Sequence, residues 1–157
     1  MPNTSDIISL LVTQKDTFLR VEEITDLLLS APSQELPELV SARGKLIESA
    51  IKTEEELHAA ACGDENLLEV LSCSCSISEL SEELTEVFEA ALRVRATVNR
   101  ISKMETGVLD RVRSERDMAL EKIEALNKSG NSVAAKYKQA VRTAFPQSYM
   151  QGRTMKV

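Results

Sequence analysis

From Ser78 to about Asn127 the chain carries roughly fifty residues with no proline and a single glycine, Gly107. Across this stretch apolar residues recur four and three apart: Leu80, Leu84, Val87, Ala91, Val94, Val98, Ile101, then Val108 and Val112. That spacing places one apolar stripe along one side of an α-helix. Glu105 interrupts the stripe, and Met104 beside it is placed to stand in. At ~1.5 Å per residue such a helix is roughly 75 Å long, far more than a compact domain of this size needs. A helix of that kind must lie against others, so the rest of the chain is read for what covers it.

Two further helices precede it. The first, over about 5–30, opens with Thr4 or Ser5 as cap, carries Ile7, Leu11, Phe18, Val21, Ile24 and Leu28, and stops before Pro32. Gln14 and Thr25 are polar interruptions of its stripe. The second, over about 36–62, with Ser33 as cap, has Leu39, Val40, Leu46, Ile47, Ala50, Ile51, Leu57 and Ala61 on its apolar face, and Gly63 stops it. Gly44, inside it, marks either a close helix–helix approach or a tolerated defect. Asp64 caps a short helix over about 65–75, and the serine-rich Ser72–Ser76 segment reads as a corner, either a sharp reversal or a kink, before the long helix over about 78–127. Beyond Val112 the stripe shifts to Met118 or Ala119, Ile123 and Leu126 and thins out. Asn127-Lys128-Ser129-Gly130-Asn131 reads as a turn, followed by a last helix over 132–144 with Val133, Tyr137 and Val141 on one side. Residues 145–157 form a flexible tail.

The short connections at 30–35 and 63–64 make neighbouring helices antiparallel. The fold class is therefore all-α: an elongated antiparallel bundle or coiled coil built on the long helix, one bundle domain over 1–144. Either early helix spans only about half of the long one, leaving a bare end or an end covered by a second copy. Low aromatic content, 3%, and the absence of tryptophan fit long helices.

Charge is asymmetric. Residues 1–92 hold 19 acidic and 5 basic side chains, and residues 93–157 hold 6 acidic and 14 basic. The basic half lying along the acidic half explains this. Nucleic acid is not expected as a partner, because the basic residues from Arg93 to Arg116 are spread around the helix rather than gathered in a patch. Membrane insertion is not expected either, for want of an apolar run of ~18 residues. Three cysteines and a non-basic N-terminus suit a reducing cytoplasm.

Chemistry is sparse. His58, Cys62, Cys73 and Cys75 are the one set with metal-ligand character, but a Cys-x-Cys joined by ten intervening residues to a lone Cys does not have a zinc-finger spacing. The expectation is small residues packed at a helix corner, with no metal and no cofactor. One histidine cannot furnish the paired Glu-x-x-His of a di-metal bundle, and no glycine-rich phosphate loop exists. An enzyme is not expected. The informative residues are Met118, Ile123, Leu126, Tyr137 and Val141, with Phe145 and Tyr149, in a region with little left to pack against. They suit a groove for a partner helix, a homodimer seam, or a return onto the first helix.

At this point the chain resembles flagellar export chaperones of the FlgN/FliT type. The likeness lies in Arg43-Gly44-Lys45-Leu46-Ile47 early in the second helix and in Leu57–Asp64 leading to a turn. It continues in Val98-Asn99-Arg100-Ile101, Val108-Leu109, Lys122-Ile123-Glu124-Ala125-Leu126 and Ala134-Ala135-Lys136-Tyr137. The resemblance implies a bacterial, cytoplasmic, ATP-independent chaperone that packs its C-terminal helices against a helix of a late-exported hook-associated or filament-cap subunit. By position it implies Ile123, Leu126 and Tyr137 as contacts, to which the stripe adds Met118 and Val141. Lys122, Lys128, Lys136 and Lys138 would steer the client by charge. The alternative is a scaffolding coiled coil whose C-terminal stripe is a homodimer seam.

Overall fold

The structure, a computed structural model, describes the backbone of residues 3–144 and the side chains among them except those at 132 and 141–144. The described residues form an all-α helical bundle, and none of them lies in a strand. Its helices are α1 (Thr4–Ser30), α2 (Leu36–Ala61), α3 (Glu65–Leu71) and α4 (Glu82–Ala144). The expected flexible tail at 145–157 lies outside the described residues. The chain divides into two compact units, Met1–Arg111 and Val112–Val157, where the sequence suggests one bundle through 144.

Within the first unit α1 and α2 form an antiparallel hairpin, and the opening part of α4 runs parallel to α1. The core packing gives these directions. Ile7 and Leu11 of α1 meet Leu57 and Ala61 of α2 and Val87, Phe88, Ala91 and Val94 of α4 in one cluster. Farther along, Leu28 of α1 packs with Leu36 of α2 and Val108 of α4. The short α3 closes the first cluster with Leu67 and Val70. Each stripe is buried much as its spacing requires, although Val40 and Ile51 of α2 stay exposed.

The helix ends follow from local chemistry. Asn3, not Thr4 or Ser5, caps α1: the Ser5 amide donates to Asn3 Oδ1 at 3.1 Å. An asparagine one residue earlier already satisfies a first-turn donor. No side chain caps α2 at Glu35; the helix is entered through a 3-10 turn over Ser33–Glu35, with Pro37 in its first turn. Gly63, at φ 88°, ends α2 in the left-handed region. The Leu67 amide donates to Asp64 Oδ1 at 3.1 Å, so Asp64 caps α3 as expected.

The corner after α3 is sharper than a continued helix to 75 allows. Cys73 takes φ 57°. Its amide donates to Val70 O, and the Ser74 amide donates to Glu69 O, both at 3.1 Å. These two bonds make a Schellman ending, with a cysteine at the position glycine usually holds. The long helix then begins at Glu82 rather than 78, because Ser81 is the residue that caps it: the Leu84 amide reaches Ser81 Oγ at 3.3 Å.

The expected turn at 127–131 is absent, and α4 continues through it to Ala144. One glycine costs a helix interior only ~1 kcal/mol, and the segment contains no proline. A break would require a second helix nucleus, which is the expensive step in helix formation. Gly44 also resolves: a Cβ there meets nothing within 4 Å, so no close approach demands it. The tight glycine is Gly107, whose added Cβ would lie 3.1 Å from Leu29 Cδ2.

Candidate functional site

Two arrangements of side chains stand out, one in each unit. In the first, polar groups replace apolar ones inside the bundle. Thr25 of α1 is fully buried, donates to Val21 O at 2.6 Å and accepts from Arg43 Nε of α2 at 3.1 Å. The Arg43 guanidinium also makes a paired contact with the carboxylate of Glu105 on α4. So two of the three polar interruptions read in the sequence, Thr25 and Glu105, face one arginine, and Met104 does not take the place of Glu105 in the core. A bidentate arginine–carboxylate pair fixes the relative rotation of its helices more tightly than apolar contact does. Arg100 reaches Glu22 at 2.8 Å, a direct instance of the basic half lying against the acidic half.

Arg111 closes this unit. Its guanidinium donates to Leu28 O at 3.1 Å and to Ala31 O, satisfying carbonyls that the end of α1 leaves without helical partners. Among the described residues no buried side-chain N or O atom lacks a hydrogen-bond partner.

An open groove of about 760 Å³ lies between the helices of this unit. Leu11, Phe18, Leu57 and Val94 contribute to its apolar lining, and Gln14, His58, Arg95 and Asn99 to its polar part. The His58 ring sits 3.9 Å from Glu54, both largely exposed, and among the described residues no nucleophile is paired with it. No group of three or more His, Cys, Asp or Glu among the described residues is placed to hold a metal. Cys62 is exposed, whereas Cys73 and Cys75 pack against the core. Burial pushes the Cys73 thiol up from its ordinary value, and the Arg95 charge opposes this in part.

The second arrangement is apolar. Beyond Arg111 every described side chain except Glu115 is exposed. Met118, Ile123, Leu126 and Tyr137 are 48%, 53%, 71% and 72% exposed, and Val112, Leu120 and Val133 are exposed with them. None of these side chains returns to a core. Val141 lies in the helix, but its side chain falls outside the described residues.

These residues are not one stripe. At about 100° per residue, Ile123, Leu126 and Tyr137 share a side of the helix with Val112, Ala119 and Val133, whereas Met118 lies roughly 100° away from it. The positions 112, 116, 119, 123, 126, 130, 133 and 137 alternate by four and three: Val, Arg, Ala, Ile, Leu, Gly, Val and Tyr. Val133 belongs to this set by spacing, whereas the expected contacts take only Tyr137 and Val141 from the segment after 131. The register also explains why the stripe shifts after Val112. From Val108 to Val112 to Arg116 two four-residue steps follow in succession, a stutter that interrupts the heptad at the boundary between the units.

Chemically, this second arrangement offers an apolar helix face of the kind that packs against another amphipathic helix. It carries no clustered acid, base or nucleophile. Among the described residues no helix is long and apolar enough to cross a membrane. No family model matches the chain, and neither the curated proteins nor the solved structures contain a match to it.

Proposed function

We propose that the protein is a helical binding protein that holds a partner helix on the stripe of α4 formed by Ala119, Ile123, Leu126, Val133 and Tyr137, and that it serves as an export chaperone. The carrying observation is the exposure of this stripe: Leu126 and Tyr137 are more than two-thirds exposed although both have large apolar side chains. Contiguous apolar residues left in water on a soluble-type helix are the usual mark of a binding face. The bundle in the first unit is completed without them, since every buried residue described lies at or before Val108.

The class of client follows from the resemblance to FlgN/FliT-type chaperones. A terminal helix of a hook-associated or filament-cap subunit would lay its apolar residues against Ile123, Leu126 and Tyr137. Lys122, Lys136 and Lys138 flank the stripe and favour an acidic partner through attraction between unlike charges, whereas Lys128, two residues on from Leu126, falls on the opposite side of the helix. Met118, about a quarter turn away, would contact the client at the edge of the interface. The mechanism is reversible apolar packing with charge steering and needs neither nucleotide nor metal.

The test uses Leu126→Asp in the full chain against peptides spanning the terminal helices of hook-associated and filament-cap subunits. Burying a carboxylate in an apolar seam is expected to weaken binding by at least about a hundredfold. The thermal midpoint of the first unit should not move. Unchanged peptide binding would remove the stripe from the binding site, and loss of helicity across the bundle would make Leu126 a core residue.

A further inference from the structure

We infer that Cys73 and Cys75 are a reversible thiol–disulfide pair, closed by a small disulfide such as oxidised glutathione and reopened by a thiol, and that their bond locks the corner between α3 and α4. The pair lies wholly within the first unit, so it stands or falls independently of the α4 stripe.

A local change of period sets the two thiols side by side. From Ser72 to Ser76 serine and cysteine alternate, and burial alternates with them: the three serines are exposed, whereas Cys73 and Cys75 are half-buried against the same core cluster. A period of two belongs to extended backbone, in which residues two apart face the same way. At ~3.3 Å per residue their Cα atoms lie about 6.6 Å apart even when extended, inside the roughly 4.4–6.8 Å that a disulfide spans. The serines show that side chains two apart meet along this segment. The Ser72 and Ser74 hydroxyls share a hydrogen bond at 2.7 Å, and those of Ser76 and Ser78 share one at 2.9 Å.

Residue identity points the same way. Gly63 ends α2 at φ 88°, whereas α3 ends on Cys73 at φ 57°, where a Cβ is unfavourable. A helix ending by itself gains nothing from a thiol there. Among the described residues no third His, Cys, Asp or Glu is placed with the two thiols to hold a metal, so they are better suited to bond each other.

The exchange runs in two steps. The Cys75 thiolate attacks one sulfur of the small disulfide, whose other half leaves as a thiolate and takes up a proton. The Cys73 thiolate then attacks the Cys75 sulfur and expels the second half. Two thiol protons and two electrons pass to the small disulfide, which becomes two thiols. Cys73 acts second because burial pushes its thiol up, and the nearby Arg95 charge favours its thiolate when its turn comes. The ring so formed contains the Ser74 amide, which donates to Glu69 O beside the Cys73 bond to Val70 O. Closing it fixes the torsions of the residues that end α3, the helix whose Leu67 and Val70 close the core cluster.

The full chain, native and at neutral pH, is treated with oxidised glutathione and followed by intact mass, peptide mapping and hydrogen exchange. The expected product has lost two hydrogens, carries a Cys73–Cys75 bond and returns to the starting mass with dithiothreitol. Exchange in peptides covering 69–76 should slow at least about threefold on oxidation. Cys62→Ser should leave the bond unchanged. Cys73→Gly, which suits the left-handed position, should keep the bundle folded and leave Cys75 as a stable mixed disulfide with glutathione. Free Cys73 and Cys75 after treatment, glutathione held separately on each, or a bond from Cys62 to either would overturn the pair. Unchanged or faster exchange in the bonded chain would overturn the locking of the corner.

Discussion

Arg43 is the residue on which the register of the bundle turns. It is a polar side chain between three helices, bonded to a fully buried threonine on α1 and a carboxylate on α4. Removing the acceptor should leave the guanidinium nitrogen under-satisfied, a loss of about 1–3 kcal/mol for a buried group bonded to a charge. Thr25→Val keeps the shape and removes the oxygen, so it should lower the unfolding free energy by that amount in urea titration. The same substitution in an Arg43→Leu background should cost clearly less, because the two residues interact directly. Equal losses in both backgrounds would mean that the bond between them carries no stability. Thr25 and Glu105 are visible in the sequence as flaws in apolar stripes. Their convergence on one arginine is not visible there, since pairing residues 18 and 62 positions apart from Arg43 requires the helices to be placed.

At the scale of an element, the glycines separate what periodicity can say from what packing decides. Gly44 and Gly107 each sit inside a helix. Gly44→Ala should stabilise the protein by about 1 kcal/mol, since a methyl there meets open space and alanine loses less backbone entropy on folding. Gly107→Ala should forfeit most of that gain, because its methyl must displace Leu29 Cδ2 from 3.1 Å. Paired thermal melts of the two variants check this, and equal shifts would mean that Leu29 yields freely. The sequence raises close approach at the first glycine, whereas the structure has it at the second. The extent of α4 has a similar lesson. Asn127–Asn131 has the composition of a turn, but a helix already nucleated passes through weak positions that would not start one.

At the scale of the whole molecule, burial is confined to the first unit, with Val108 the last buried residue described. A chain ending after Arg111 retains the Arg111 bonds to Leu28 and Ala31 and all of that core. Its urea-unfolding free energy should lie within about 0.5 kcal/mol of that of the full chain measured as a monomer. It should bind no client peptide. A large drop in stability would show that residues beyond Arg111 support the bundle and are not reserved for a partner.

The sequence by itself determined the helical class, the apolar face of each helix, the caps at Asp64 and Gly63, and an excess of apolar residues beyond Val112. These depend on residue period and on backbone chemistry within a few positions of each other, both of which are local. Only the tertiary structure decided that Thr25, Arg43 and Glu105 meet, that Gly107 and not Gly44 sits tight against a neighbour, and that α4 runs unbroken to Ala144. It also decided that Leu126 and Tyr137 remain in water. The first two depend on distances between helices, and the third on helix cooperativity that overrides the local preference of five residues. The last depends on which apolar surface the bundle has already used: a stripe marks a face that can be buried, and the packing of the remaining helices decides whether it is.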